Sequence, residues 1–127
     1  MFRDTKAFSS FSVDDLQRAK EFYGETLGLD VVESPEGLEL HIAGSTPVFV
    51  YPSHNYTAPK HTVLNFPVDD IEAAVDELAA RGVRMENYDL PDLKTDERGI
   101  FRGESGPRAI AWFKDPAGHV LSVLQTE

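Results

Sequence analysis

Apolar and polar residues along the chain follow two spacings, and the same order of spacings occurs twice. Residues 6–13 and 60–68 alternate aromatic or branched side chains with small or polar ones, which predicts a strand in each segment. After each strand, apolar residues recur every three or four positions up to a glycine, which predicts an amphipathic helix. Even the letters repeat, because VDDL at residues 13–16 returns as VDDI at residues 68–71.

The start of each predicted helix can be placed from its aspartates. Asp14 with Gln17, and Asp69 with Glu72, have the spacing of a capping box. In this motif the first side chain accepts a hydrogen bond from a backbone amide in the first turn of the helix. Each helix is then expected to end at the glycine that closes its apolar stripe.

Three further strands are predicted after each helix. Their ranges are 29–34, 37–43 and 47–51 in the first half, and 83–88, 108–114 and 119–125 in the second. The sequence DPAGH predicts a hairpin connection between the last two strands. Residues 90–106 are long, charged and poor in apolar periodicity, which predicts a surface loop that is either a binding segment or a mobile connection.

Each half therefore has the order βαβββ, and the fold class is α+β. Such a unit buries one side of its sheet under its helix and leaves the other side uncovered and concave. We expect two units side by side to form one curved mixed sheet around a central cup. The prediction is a single domain over residues 1–127, made of modules at about 5–52 and 60–126 joined by a linker at 53–59.

Composition excludes several classes of protein. With 127 residues the chain has room for one ordinary domain, and no apolar run approaches the roughly 18 residues of a membrane span. Charges near the N-terminus occupy the place of a signal peptide's apolar region, so we expect a soluble, cytoplasmic protein. A net charge of -10 argues against nucleic acid as a partner, and zero cysteines exclude disulfides and thiolate chemistry.

Three stretches resemble the vicinal oxygen chelate superfamily, which includes glyoxalase I, extradiol dioxygenases, fosfomycin-resistance enzymes and bleomycin-resistance proteins. They are VDDLQRAKEFYGETLGL at 13–29, VDDIEAAVDELAARGV at 68–83 and AWFKDPAGHVLSVLQ at 111–125. The resemblance covers nearly the whole chain and implies the two-module cup. It also implies a homodimer in which two chains share each pocket. Because one fold carries many activities, function has to be argued from the site.

The resemblance also bears on metal binding. In metal-dependent members, donors in the first and last strands of each module hold a divalent cation inside the cup. In this chain the first-strand positions fall on Phe8 and Val63, and the last-strand positions fall on Ser122 and near Val50 or Tyr51. None of these side chains is a carboxylate or an imidazole. The resemblance therefore implies a member without the usual metal site and without a cofactor.

A displaced divalent-metal site is the alternative, and its ligands would be Glu39, His41 and His61. Glu39 and His41 share one face of their predicted strand, and His61 lies two residues before Val63. Such a site would favour a metal-dependent lyase or dioxygenase. Otherwise the three side chains lie at a strand rim or in solvent. His54 and His119 are expected at the surface.

Catalytic residues are not identifiable from the sequence. No serine lies in a G-x-S-x-G motif, and no glycine-rich loop has the spacing of a nucleotide site. Alternation along the strands instead predicts a mostly apolar ligand-binding lining. The candidates are Phe8, Ser10 and Ser12 in the first strand, Val63 and Asn65 in the fifth, Ser122 and Leu124 in the last, and Tyr51 and Trp112 as aromatic platforms or core residues.

We therefore expect a cytoplasmic homodimer that binds or sequesters a small organic compound without a metal, with the metal-dependent enzyme as the alternative. A third hypothesis is a sensor or partner-binding module that uses the loop at residues 90–106. The ligand itself is not predicted by the sequence.

Overall fold

The described part of the chain, residues 1–103 and 108–126 of a computed structural model, contains two four-stranded mixed sheets with few helices. The predicted α+β class is confirmed. By its internal contacts the chain divides into two compact units, Met1–Ala58 and Pro59–Glu127. Within these described ranges, none of the helices has the length and hydropathy needed to cross a membrane.

The first unit builds a sheet with strand order β1-β4-β3-β2. Its elements are β1 (Ser10–Val13), α1 (Leu16–Glu21), a π-helical turn (Phe22–Thr26), β2 (Asp30–Ser34), β3 (Gly37–His41) and β4 (Val48–Pro52). β1 runs parallel to β4, and the other neighbours are antiparallel. The unit thus has the predicted order of one strand, one helix and three strands.

One face of this sheet packs against the helix and forms the core of the unit. Leu38, Leu40 and Val50 on β3 and β4 are at most 1% exposed. Tyr23 from the helical side has no exposed surface, and its ring centroid lies 6.0 Å from that of Phe11 on β1. Burial of side chains of this size stabilises a fold by about 1.5–3 kcal/mol each, which fixes the helix on this face.

Both helices begin one residue later than predicted. Asp15 and Asp70, rather than Asp14 and Asp69, are the N-caps, and each accepts a hydrogen bond from the amide three residues later, at 3.1 and 3.2 Å. Both N-caps have extended backbone, as capping residues require. The capping-box prediction was therefore wrong, although the choice of an aspartate was right.

The first helix changes its hydrogen bonding before it ends. After Glu21 the amide of Leu27 donates to the carbonyl of Phe22 at 2.9 Å, five residues back rather than four. The turn therefore holds an extra residue. The turn ends at Thr26, and Gly28 follows two residues later with a φ of 76°, in the left-handed region that favours glycine.

The second unit builds a sheet with strand order β5-β10-β9-β8, plus a separate hairpin of β6 and β7. Its elements are β5 (Thr62–Pro67), α2 (Ile71–Ala80), β6 (Asp89–Leu90), β7 (Leu93–Lys94), β8 (Ile100–Phe101), β9 (Ala109–Lys114) and β10 (Val120–Gln125). β5 runs parallel to β10, while β10–β9 and β9–β8 are antiparallel. Ile71, Val75 and Leu78 of α2 are buried.

Two predictions for this unit were wrong. Residues 83–88 form no strand, because they contribute only an isolated bridge between Met85 and Phe113. The strand that follows β5 in the four-stranded sheet, in chain order, is instead the two-residue β8. It lies inside residues 90–106, which were predicted to form a surface loop. Ile100 is only 2% exposed there. Residues 104–106 of that segment lie outside the described residues.

A cluster of ion pairs attaches this segment to α2. The guanidinium of Arg98 pairs with Glu72 at 2.8 Å and with Asp76, and it also donates to the backbone carbonyl of Glu72 at 3.0 Å. Arg102 reaches Glu72 at 3.5 Å. The hydrogen bond to Asp76, together with the charges of Asp76 and Glu72, raises the pKa of Arg98. These contacts explain why charged residues lie next to a buried edge strand.

The turn between β9 and β10 buries a polar pair. One carboxylate oxygen of Asp115 accepts from the amides of Ala117 and His119 at 3.0 and 2.8 Å, and the other lies 3.0 Å from Nδ1 of His119. Asp115 and His119 are 5% and 1% exposed. The predicted surface position of His119 was therefore wrong, because Asp115 draws the ring into the turn. His54 is exposed, as predicted.

Candidate functional site

In the first unit, the sheet face opposite α1 carries several of the predicted ligand-binding residues. β1 and β4 lie in register, so that Ser10 is beside Phe49 and Ser12 is beside Tyr51. Alternation places these four side chains on the same face. The rings of Phe49 and Tyr51 stack, with centroids 5.9 Å apart and planes 16° from parallel. Tyr51 is 39% exposed, so it is not a core residue.

Glu39 and His41 lie on the same open face, as their predicted alternation with Leu38 and Leu40 requires. Glu39 is beside Phe49 in the β3–β4 ladder, and its Oε1 lies 3.0 Å from Nε2 of His41. Both side chains are about 40% exposed. The pair is therefore accessible from this face and not part of the core.

A cavity of about 420 Å³ opens at one end of this face. It is lined by Phe8, Glu36, Glu39, Thr46, Pro47 and Phe49. Its volume lies in the range of roughly 300–1,000 Å³ that is typical of small-molecule pockets. Phe8 is 64% exposed at its edge, which is unusual for so large an apolar side chain. The lining therefore combines two aromatic rings with two carboxylates.

A second cavity of about 430 Å³ lies on the helical side of the first unit. It runs between the first helix with its π-helical turn and β2. Its lining is Gln17, Lys20, Glu21, Gly24, Glu25, Leu29, Asp30 and Val31. Most of these side chains are polar or charged, so this cavity resembles a solvated groove more than a pocket for an apolar ligand.

In the second unit, Asn65, Ser122 and Trp112 lie side by side on three neighbouring strands. Ser122 of β10 is in register with Asn65 of β5 and with Trp112 of β9. The Ser122 hydroxyl donates to the amide oxygen of Asn65 at 2.6 Å. Ser122 has no exposed surface whereas Asn65 is exposed, so a ligand on this face would meet the amide rather than the hydroxyl. Leu124 shares the face by alternation.

Trp112 is held by two further aromatic residues. Tyr88 meets it edge to face, with ring centroids 5.5 Å apart at 87°, and Phe101 lies 6.5 Å away. Trp112 is half-buried, so part of its surface is accessible. The contacts of Tyr88 and Phe101 with Trp112 were not predicted, because residues 83–88 were assigned to a strand and residues 90–106 to a surface loop.

Val63 and His61 do not continue the regular face of β5. Val120 pairs with Thr62 and the next residue, Leu121, pairs with Leu64, so that Val63 has no direct partner on β10. His61 precedes the strand and is exposed. The prediction that His61 shares a strand face with Val63 therefore fails, because Val63 lies at an irregularity of the ladder and His61 lies before the first residue of β5.

The residues fit a metal site poorly. Phe8, Val63 and Ser122, at which the resemblance noted in the sequence would put metal donors, offer no carboxylate or imidazole. In residues 1–103 and 108–126, no three His, Asp or Glu side chains are grouped so that they could hold a metal ion. Glu39 and His41 are adjacent, but they form a pair and not a set of three.

Sequence reasoning missed Phe49, Glu36, Thr46 and Pro47 in the cavity. Phe49 could have been found, because it lies two residues before Tyr51 on the same strand, and alternation places the two side chains on one face. The other three lie in turns or at a strand end, where no periodic pattern applies.

Comparisons with known proteins agree with this architecture. The profile of the Glyoxalase/Bleomycin resistance protein/Dioxygenase superfamily matches residues 8–123. A search of curated protein sequences found no match.

Solved structures with the same fold include a glyoxalase/bleomycin resistance protein from Streptomyces sp. CB03234, with 26% identity, a TM-score of 0.62, and coverage of 95% of this chain and 100% of that chain. TnmS3, an antibiotic binding protein from the same organism, has 24% identity, a TM-score of 0.69, and coverage of 100% and 99%. The fosfomycin resistance protein FosX from Listeria monocytogenes has 14% identity, a TM-score of 0.69, and coverage of 95% and 92%. The last two likenesses show the fold alone.

Proposed function

Because the chain belongs to the Glyoxalase/Bleomycin resistance protein/Dioxygenase superfamily, we propose that it binds a small organic molecule in the cavity on the open face of its first unit. The observation that carries this proposal is the lining of that cavity. The side chains of Phe8, Pro47 and Phe49 give apolar walls to a volume of about 420 Å³. A mostly apolar hollow with a few polar groups is the usual form of a ligand pocket.

Exposure of the aromatic residues supports a binding role. Phe8 and Tyr51 are 64% and 39% exposed, although removing these rings from water would lower the free energy of the protein. Large apolar side chains that are clustered and exposed often mark a surface that is covered by a ligand or a partner. TnmS3, which is described as an antibiotic binding protein, provides a precedent for ligand binding on this fold.

We propose that binding needs no divalent metal and that the chain acts as a homodimer. The donor positions of metal-dependent relatives are held by Phe8, Val63 and Ser122, which supports the first part. The homodimer follows from family resemblance and is tested by light scattering of the purified protein. The absence of a metal requirement is tested by metal analysis and by thermal melts with and without EDTA. A metal bound only by the native state would raise the melting temperature, and EDTA would then lower it.

The binding experiment compares two substitutions of the same kind. Phe8→Ser removes one wall of the cavity, whereas Phe2→Ser removes a phenylalanine that is 76% exposed and does not line it. Aromatic fragments are screened for their ability to raise the melting temperature of the wild-type protein. We expect hits to lose most of their effect in Phe8→Ser and to keep it in Phe2→Ser. Hits that stabilise both variants equally would place the binding site elsewhere.

A further inference from the structure

We propose that the ligand of this cavity is an organic cation with a flat apolar body, an inference that rests on the proposed function and specifies its ligand class. The charged side chains in the lining are both carboxylates, Glu36 and Glu39, and the described lining contains no Lys, Arg or His. A cation would therefore meet opposite charge at the cavity, and an anion would meet only like charge.

Glu39 is placed to meet a ligand that lies on the aromatic rings. It is paired with Phe49 across the β3–β4 ladder, and both residues line the cavity. Only one of its oxygens, Oε1, contacts His41, at 3.0 Å. The side chain is part exposed, so a ligand cation can reach it without the cost of burying an unpaired charge.

Glu36 lies in the turn between β2 and β3, and the packing of the next residue fixes that turn. A Cβ atom on Gly37 would lie 2.2 Å from the carbonyl oxygen of Val50, so the backbone at Gly37 lies directly against β4. In the described part of the chain, the side chain of Glu36 forms no ion pair or hydrogen bond. Its charge is therefore free to interact with a ligand at the mouth of the cavity.

The aromatic residues favour the same class of ligand. The faces of aromatic rings carry partial negative charge and attract cations by about 0.5–1 kcal/mol at exposed sites. Phe8 and Phe49 contribute two such rings, and Tyr51 extends the stack of Phe49 along the open face. The net charge of -10 also attracts cations to the whole chain, although salt weakens this long-range part.

The test uses three flat probes of similar shape and different charge. At mildly alkaline pH, 9-aminoacridine is a cation, acridine is neutral and anthracene-9-carboxylate is an anion. Affinities are measured by fluorescence titration at a fixed salt concentration. We expect the wild-type protein to bind 9-aminoacridine about tenfold more tightly than acridine, and anthracene-9-carboxylate least tightly.

Two double variants separate the local carboxylates from the overall charge. Glu36→Gln with Glu39→Gln removes both charges of the cavity and keeps the shape of the side chains. Asp92→Asn with Glu97→Gln removes two exposed charges from the second unit and changes the net charge equally. We expect the first pair to weaken binding of 9-aminoacridine about three- to tenfold and leave acridine unchanged, and the second pair to leave both unchanged.

The outcomes distinguish this inference from the proposed function. Equal binding of the three probes, together with weakening of all three by Phe8→Ser, would overturn the preference for cations and leave the site in place. Equal loss of 9-aminoacridine binding in both double variants would also overturn it, since overall charge would then account for the affinity. Binding of no probe, or binding that ignores Phe8→Ser, would overturn the proposed function and this inference with it.

Discussion

The hydroxyl of Ser122 donates a hydrogen bond of 2.6 Å to the amide oxygen of Asn65 on the neighbouring parallel strand. Ser122 is completely buried and Asn65 is exposed, so the two ends of this bond differ in their access to water. The bond connects the first and last strands of the second unit on the face opposite α2.

This difference predicts unequal effects of the two truncations. Asn65→Ala should leave a buried hydroxyl without its acceptor and cost about 1–3 kcal/mol, whereas Ser122→Ala should cost about 1 kcal/mol or less because water can replace the lost donor at Asn65. The double variant should be more stable than Asn65→Ala alone. Urea unfolding of the three variants measures this, and a double variant less stable than either single one would contradict it.

The choice of N-cap predicts which aspartate of each Asp-Asp pair matters. Asp15→Ala and Asp70→Ala should each lower the free energy of unfolding by about 1 kcal/mol, since the amides three residues later lose their acceptors. Asp14→Ala and Asp69→Ala are the matched controls, with the same change of charge and little expected effect. Thermal melts compare the four variants. Equal losses at both aspartates of a pair would mean that charge near the helix start, and not the cap, is responsible.

The close packing around Gly37 predicts that position 37 does not tolerate a larger residue. Its φ is not in the left-handed region, so the restriction comes from space: a Cβ would meet the carbonyl oxygen of Val50 at 2.2 Å. Gly37→Ala should therefore force strands β3 and β4 apart and destabilise the protein by about 1–3 kcal/mol. Gly24→Ala is the control, because its Cβ would make an ordinary contact of 3.5 Å with Val31. Urea midpoints that fall equally in both variants would contradict this account.

The buried turn at Asp115 predicts a larger loss than any of these. Asp115→Ala removes the acceptor of two backbone amides and of the His119 ring together, and should cost about 2–5 kcal/mol. Asp115→Asn keeps one oxygen for the two amides and should lose less. Asp89→Ala, at an exposed position in β6, controls for the loss of a charge. A loss in Asp115→Ala no greater than that in Asp89→Ala would show that the turn does not depend on the carboxylate.

The period of two along a strand explains how much of the site could be predicted. It placed Glu39 and His41 opposite Leu38 and Leu40, and it placed Ser10 and Ser12 on one face of the first strand. Alternation fails where the chain is irregular, and for this reason the irregularity at Val63 could not be foreseen.

Features that depend on tertiary contacts gave no sequence signal. Two adjacent aspartates are equally good caps by residue type, and no sequence pattern decides between them. β8 has two residues and no periodicity, and its position depends on the ion pairs of Arg98 and on the close approach of Gly99 to Glu86. Glu36 lines the cavity from the turn between β2 and β3, where no periodic pattern applies.

The π-helical turn at Phe22–Thr26 has a consequence for comparisons across the superfamily. A turn closed between residues five apart accommodates one amino acid more than an α-helical turn. A homologue with one amino acid fewer at this point could keep both ends of the helix in place by forming a regular turn. Alignments should therefore tolerate a one-residue deletion here, and a mutant chain shortened by one residue at Gly24 should still fold.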